Sequence, residues 1–300
     1  MIIKKILVPL DFSEFSEKAL EYAIELAEKF EAALTLFHAV LLFQDDIGEE
    51  QRLQEYENWI KKRENRLINQ MENSRQKAAR RGIDVQTIMI RGISSADVIL
   101  DHVNDNPFDL IVMGTHGRSG LKHILQGSVA EKVVRMSPVP VLTIHRSVTQ
   151  FQVNKILVPL DFSFNCKDAT DYALSLAKKF KSTLEFIHII EQDIHPSFYA
   201  SGVDSIFQID TGLKERVIEN MKGFLADQLP PELTANFVVK EGKAHKEIVE
   251  HAKENGIDMI VIATHGLTGL DYILLGSTTE KVVRWANCPV FTVRRKKESS

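Results

Sequence analysis

The chain has 300 residues, enough for two domains that each bury a core, and its formal net charge of −4 is split evenly between the halves 1–150 and 151–300. That balance excludes a strongly basic nucleic-acid surface. The opening MIIKKILVPLDFSE turns acidic too early for a secretion signal, and no apolar run approaches the roughly 20 residues of a membrane span. Cys166 and Cys288 lie far apart, as expected of reduced thiols in a cytoplasmic protein with no membrane or nucleic-acid partner.

In chain order, short runs rich in Ile, Leu and Val predict strands at 5–10, 34–40, 85–90, 110–114 and 140–144. Between the first two lies SEKALEYAIELAEKF, whose Ala19, Ala23, Ile24, Leu26 and Ala27 mark one helical face. Residues 49–81 read as one long charged helix with an apolar stripe of Leu53, Tyr56, Ile60, Leu67, Ile68 and Met71. Its terminal basic cluster suits the negative end of a helix dipole. Strand and helix alternating in this way imply a parallel, doubly wound sheet.

From residue 151 the pattern starts again. KILVPLDFS at 5–13 recurs at 155–163; LTLFHAV (34–40) answers LEFIHII (184–190), and LIVMGTHG (110–117) answers MIVIATHG. The interval of about 150 residues far exceeds a solenoid period. The chain is a domain written twice, with domains expected at 1–148 and 149–300. The copies differ at 195–212, HPSFYASGVDSIFQIDTG, which reads as a loop or lid where the first copy has its long helix.

The stretch GTHGRSGLKHILQGS (114–128) places Gly114, Gly117, Gly127 and Ser128 after strand four and before the helix GSVAEKVVRM. Such a loop lies at the carboxyl edge where doubly wound sheets bind ligands, and it ends on a helix start with exposed N–H donors. Glycines let backbone approach a phosphate without a Cβ between. The plainer alternative is a turn in which Ser128 caps a helix. Neither a Walker loop nor GxGxxG is present. Arg118, Lys122 and His123 add charge, which Leu267, Asp271 and Tyr272 remove in the second copy. Ala263 replaces the first glycine there, harmless in extended backbone and obstructive at positive φ or against a phosphate.

Asp11 and Asp161 end the first strand of each copy, placed to accept hydrogen bonds from ribose hydroxyls. The alternative is capping, since Asp11 with Glu14 resembles a capping box, although Phe164 stands at the second position of Glu14. His38 and His188 close the second strands and read as structural; no nucleophile-and-base set and no acidic metal cluster is evident. The last strands, VPVLTIH and CPVFTVR, alternate as edge strands do.

V-P-x-D, L-x3-H and G-x2-G-x9-G-S in this order resemble the universal stress protein family, once per half. The resemblance implies two tandem doubly wound α/β domains, each with a five-stranded parallel sheet flanked by helices. It further implies a cytoplasmic ATP-binding protein, with or without Mg2+, that acts as a nucleotide-linked regulator in the stress response and not as an enzyme. A weak ATPase or phosphoryl-transfer enzyme, and a nucleotide-free scaffold, are the alternatives. Pro9 and Asp11 would lie against the nucleoside, Ala39 would offer backbone to adenine, and Gly114, Gly117, Gly127, Ser128 and Val129 would wrap the phosphates. The second set is Pro159, Asp161, Ile189, Gly266, Gly276, Ser277 and Thr278. The family pairs domains through the last strand, which implies pairing within the chain or a homodimer.

Overall fold

The computed structural model describes residues 3–41, 50–115, 128–145, 150–191, 205–264 and 275–294, excepting the side chains of 50–61, 63, 64 and 128. The chain separates into two compact units, Ile2–Arg146 and Ser147–Ser300.

The first unit runs β1 (Lys5–Pro9), α1 (Glu14–Phe30), β2 (Ala33–Leu41), α2 (Glu50–Ala79), β3 (Val85–Gly92), α3 (Ser95–Asp105), β4 (Leu110–Gly114), α4 (Ser128–Met136) and β5 (Val141–Ile144). Its strands lie in the order β3-β2-β1-β4-β5, and every pair is parallel. The central strands are buried on both faces, with Ile6, Leu7, Val8, Leu110, Ile111 and Val112 at 0% exposure, so they read as unbroken apolar runs. β5 ends the strand order of its unit, as an edge strand does, but all four of its residues are buried, so its sequence alternation is not an alternation of exposure. Within the unit, α1 and α4 both pack on it.

The second unit repeats the plan: β6 (Lys155–Pro159), α5 (Phe164–Phe180), β7 (Thr183–Ile190), the one-turn helix α6 (Ile206–Ile209), α7 (Leu213–Leu225), β8 (Ala235–Glu241), α8 (Ala244–Glu254), β9 (Met259–Ala263), α9 (Ser277–Trp285) and β10 (Val290–Val293). The order is β8-β7-β6-β9-β10, again parallel throughout.

The basic end of the long helix has a structural partner. Lys77 pairs with Glu17, and Arg81 with Glu25 and Glu28, so this cluster fastens α2 to the acidic face of α1. Such half-exposed pairs each contribute little, and three together set register more than stability.

At the opposite sheet edge a single carboxylate secures the start of each first strand. Asp109 Oδ2 accepts from the N–H groups of Lys4 (2.7 Å) and Lys5 (2.9 Å); Asp258 Oδ2 accepts from Asn154 (2.7 Å) and Lys155 (3.0 Å). Asp109→Ala is expected to cost the first unit about 2 kcal/mol, because two charge-assisted bonds disappear together. Urea denaturation checks this; an unchanged midpoint would mean water serves those N–H groups equally well.

Candidate functional site

In each unit the strand order reverses between the first and fourth strands, β1 and β4 or β6 and β9. Connections leave these neighbours in opposite directions, so their carboxyl ends open a crevice. Pro9 ends β1 and Asp11 follows it; Gly114 ends β4; Ala39 lies near the end of β2; Ser128 and Val129 begin α4. Pro159, Asp161, Ile189, Ser277 and Thr278 occupy the same places in the second unit, and Gly276 caps α9. Gly117, Gly127 and Gly266 lie outside the described residues, as do Arg118, Lys122, His123, Leu267, Asp271, Tyr272 and residues 195–204 of the expected lid. The fold thus gathers the described members of each predicted set on one sheet edge.

The acidic residue is held by its own turn. Asp11 Oδ1 accepts from the N–H (3.0 Å) and the Oγ–H (2.6 Å) of Ser13, and Asp161 Oδ1 accepts from Ser163 N–H at 2.9 Å. The predicted capping box is not what forms. Ser13 is the N-cap of α1, its Oγ accepting from Ser16 N–H, and Ser163 caps α5 in the same way through Cys166. Asp11 stands two residues before the cap, where it cannot take that role, so the capping explanation for its presence falls.

Between the aspartate and the cap the backbone turns through a left-handed residue. Phe12 has φ 61° and Phe162 φ 59°. A bulky residue there costs roughly 1–2 kcal/mol, which its surroundings must offset. Sequence reasoning missed this bend, for Phe is the last residue expected at positive φ. His38 supplies the offset. It is 5% exposed, its Nδ1 donates to the Leu10 carbonyl at 2.5 Å, and its ring lies 5.0 Å from that of Phe12. His188 repeats the arrangement with the Leu160 carbonyl at 2.8 Å and Phe162 at 4.8 Å. These histidines are backbone latches, as the sequence suggests, but they lie inside β2 and β7 and do not close them.

Gly114 has a packing duty beside the one its motif implies. A Cβ there would stand 2.8 Å from Phe15 Cβ and 2.9 Å from Phe15 carbonyl carbon, so the glycine admits the start of α1 against the end of β4. Neither Gly114 nor Ala263 is at positive φ, so the dihedral objection to Ala263 is removed.

In the second unit the base of the glycine loop is closed. Gly276 N–H donates to the Thr264 carbonyl at 2.8 Å, and Thr279 Oγ1 donates to the Ala263 carbonyl at 2.7 Å. Gly276 is the N-cap of α9 and offers no side-chain acceptor to the first helical N–H groups. In the second unit the repeated serine is therefore not a cap: Ser277 is the first residue of α9, with Gly276 in the capping position. A helix begun this way presents donors and a positive dipole end to an anion.

Cys166 replaces Ser16 beneath the second bend. Burial and then the nearby Asp161 charge push its thiol up to about 12; burial and Asp258 do the same for Cys288. Neither is a thiolate nucleophile near neutral pH. Among the described residues no group of three His, Cys, Asp or Glu is placed to hold a metal ion, and no helix is long and apolar enough to cross a membrane.

Two doubly wound α/β units, each with an aspartate and the start of a helix at its switch point, define a tandem α/β fold with a crevice at the carboxyl edge of each sheet. The sequence model of the Universal stress protein family matches residues 3–145 and again 152–294, and the chain belongs to that family. Universal stress protein YxiE of Bacillus subtilis is 36% identical over 151 residues, covering 48% of this chain and 99% of its own length. The Universal stress protein E homolog of Haemophilus influenzae is 25% identical over 324 residues, covering 99% of both chains. A universal stress protein crystal structure from Archaeoglobus fulgidus aligns with a TM-score of 0.70 at 25% identity, covering 97% of this chain and 98% of its own.

Proposed function

We propose that each unit binds an adenine nucleotide at its switch point, ATP foremost, and that the protein acts in the cytoplasm as a nucleotide-linked regulator of the stress response. The observation that carries this reading is the pairing, on one edge, of an aspartate whose rotamer is set by Ser13 or Ser163 with the start of a helix, which in the second unit is capped by Gly276. The carboxylate suits ribose hydroxyls and the uncapped helix start suits phosphates. Pro9, Ala39, Gly117, Gly127, Ser128 and Val129, with their second-unit counterparts, complete the proposed contacts. Any Mg2+ would enter with the phosphates.

Binding without turnover is the form favoured. Neither a Walker lysine nor a nucleophile-and-base set accompanies the site in the sequence, and the Nδ1–H groups of His38 and His188 are engaged in holding backbone carbonyls. Regulation then requires that ATP bind two states of the loops with different affinity.

Calorimetric titration of ATP into the nucleotide-free chain is the test. One or two sites per chain are expected, with the first unit tighter by about tenfold because its loop carries Arg118 and Lys122 where the second has Leu267 and Asp271. Absence of binding at millimolar ATP sinks the reading in favour of a scaffold. A tighter second unit would overturn the charge argument alone.

A further inference from the structure

We propose that His38 is a positioning residue for Asp11, and His188 for Asp161; the inference rests on the nucleotide reading above. Asp11 sits at the centre of a three-residue bend, Leu10–Asp11–Phe12, and one imidazole holds both flanks. Its Nδ1–H fixes the Leu10 carbonyl, and its ring packs on Phe12, the residue driven to positive φ. Ser13 fixes the carboxylate rotamer. Backbone and side chain are thus set by separate contacts. Release of either flank lets Phe12 relax toward negative φ, which swings the Asp11 Cα–Cβ vector away from the crevice.

The second unit reproduces the latch although its immediate neighbours differ. Glu14 is replaced by Phe164 and Ser16 by Cys166, yet the carbonyl bond, the ring contact and φ 59° at Phe162 all recur. Packing alone would ask only for a ring of similar size at position 38. The directed Nδ1–H bond to the residue just before the aspartate calls for a donor at one point.

The test titrates ATP and 2′,3′-dideoxy-ATP into the full chain, as wild type, H38N and H38Q. Asparagine presents its amide nitrogen where Nδ1 stands, whereas glutamine presents it one bond further out. Wild type is expected to prefer ATP about tenfold, the effect of one hydrogen bond to a charged acceptor. H38N keeps most of this ratio, and H38Q reduces it to roughly twofold or less, with affinity for the dideoxy nucleotide little changed because phosphate contacts dominate it. A structural role would shift the thermal midpoint and weaken both nucleotides equally; that result, or an unchanged ratio in H38Q, overturns the inference. Phe12→Gly guards against a misfolded H38Q. It relieves the positive-φ strain while freeing the second flank, so a lowered ratio supports the latch and a wild-type ratio counts against it. Wild type that binds both nucleotides equally overturns the positioning role and leaves nucleotide binding intact, whereas no binding of either removes both.

Discussion

Gly114→Ala is expected to destabilise the first unit by about 2 kcal/mol, the scale of overpacking a filled site. The added methyl meets Phe15 Cβ at 2.8 Å, Phe15 carbonyl carbon at 2.9 Å and its oxygen at 3.0 Å. Two of those three atoms are backbone, so rotamer change at Phe15 cannot relieve the contact. The start of α1 must move, and with it Ser13, whose N–H and hydroxyl set the Asp11 carboxylate. ATP affinity should therefore fall together with stability. The reciprocal Ala263→Gly should cost the second unit only about 0.5–1 kcal/mol, the ordinary penalty of glycine in a strand, because Ala263 already has a conformation open to any residue. Chemical denaturation of both variants, with calorimetry alongside, separates the causes. G114A with native stability and weakened ATP would mean that a phosphate, not Phe15, requires this glycine.

That glycine illustrates what the sequence makes legible. Element order, parallel topology and the carboxyl-edge location of the described members of both predicted sets follow from short-range information: apolar runs too short for helices, a repeat that aligns strand with strand, and polar breaks where the sheet ends. The long helix was expected at 49–81 and spans Glu50–Ala79. Contacts between residues far apart in sequence were not legible. Asp109 bonds to Lys4 and Lys5 across 104 or 105 positions, and nothing local distinguishes it from a solvated acid. The basic end of α2 looked like a dipole partner until its salt bridges to α1 were seen. Asp11 was legible as important but not in its geometry, since Ser13 competes for the capping position and a phenylalanine at positive φ contradicts its own preference.

The second large effect is expected from a pair of equivalent histidines that the two units treat differently. His251, on α8, is buried; Asn255 donates its side-chain amide to the His251 carbonyl at 2.9 Å and to Nδ1 at 3.2 Å. The proton therefore sits on Nε2, which donates to Glu185 on β7. His102, on α3, has the same partner chemistry at Nδ1 through Asn106 at 3.3 Å, but Thr35 holds the strand position of Glu185 and Nε2 is buried without an acceptor. Glu185→Thr recreates that deficit and should cost the second unit about 3 kcal/mol, since one partner of a buried polar pair is left behind. Thr35→Glu should conversely stabilise the first unit, and pH gives the sharper reading. Burial lowers the His102 pKa, with Asp105 opposing, so the unfolded chain takes up the proton more readily than the folded one. Stability is then full above the ordinary imidazole value near 6.5 and declines as the pH falls below it. His245, on α8, is lowered as well, by burial and then Lys281, so the second unit carries an acid loss of its own and the comparison must be made within the first. A carboxylate at position 35 favours the imidazolium and should shrink the acid decline of that unit. Urea midpoints of wild type and T35E between pH 7.5 and 5.5 decide it; parallel profiles would show that His102 Nε2 finds solvent in the folded state.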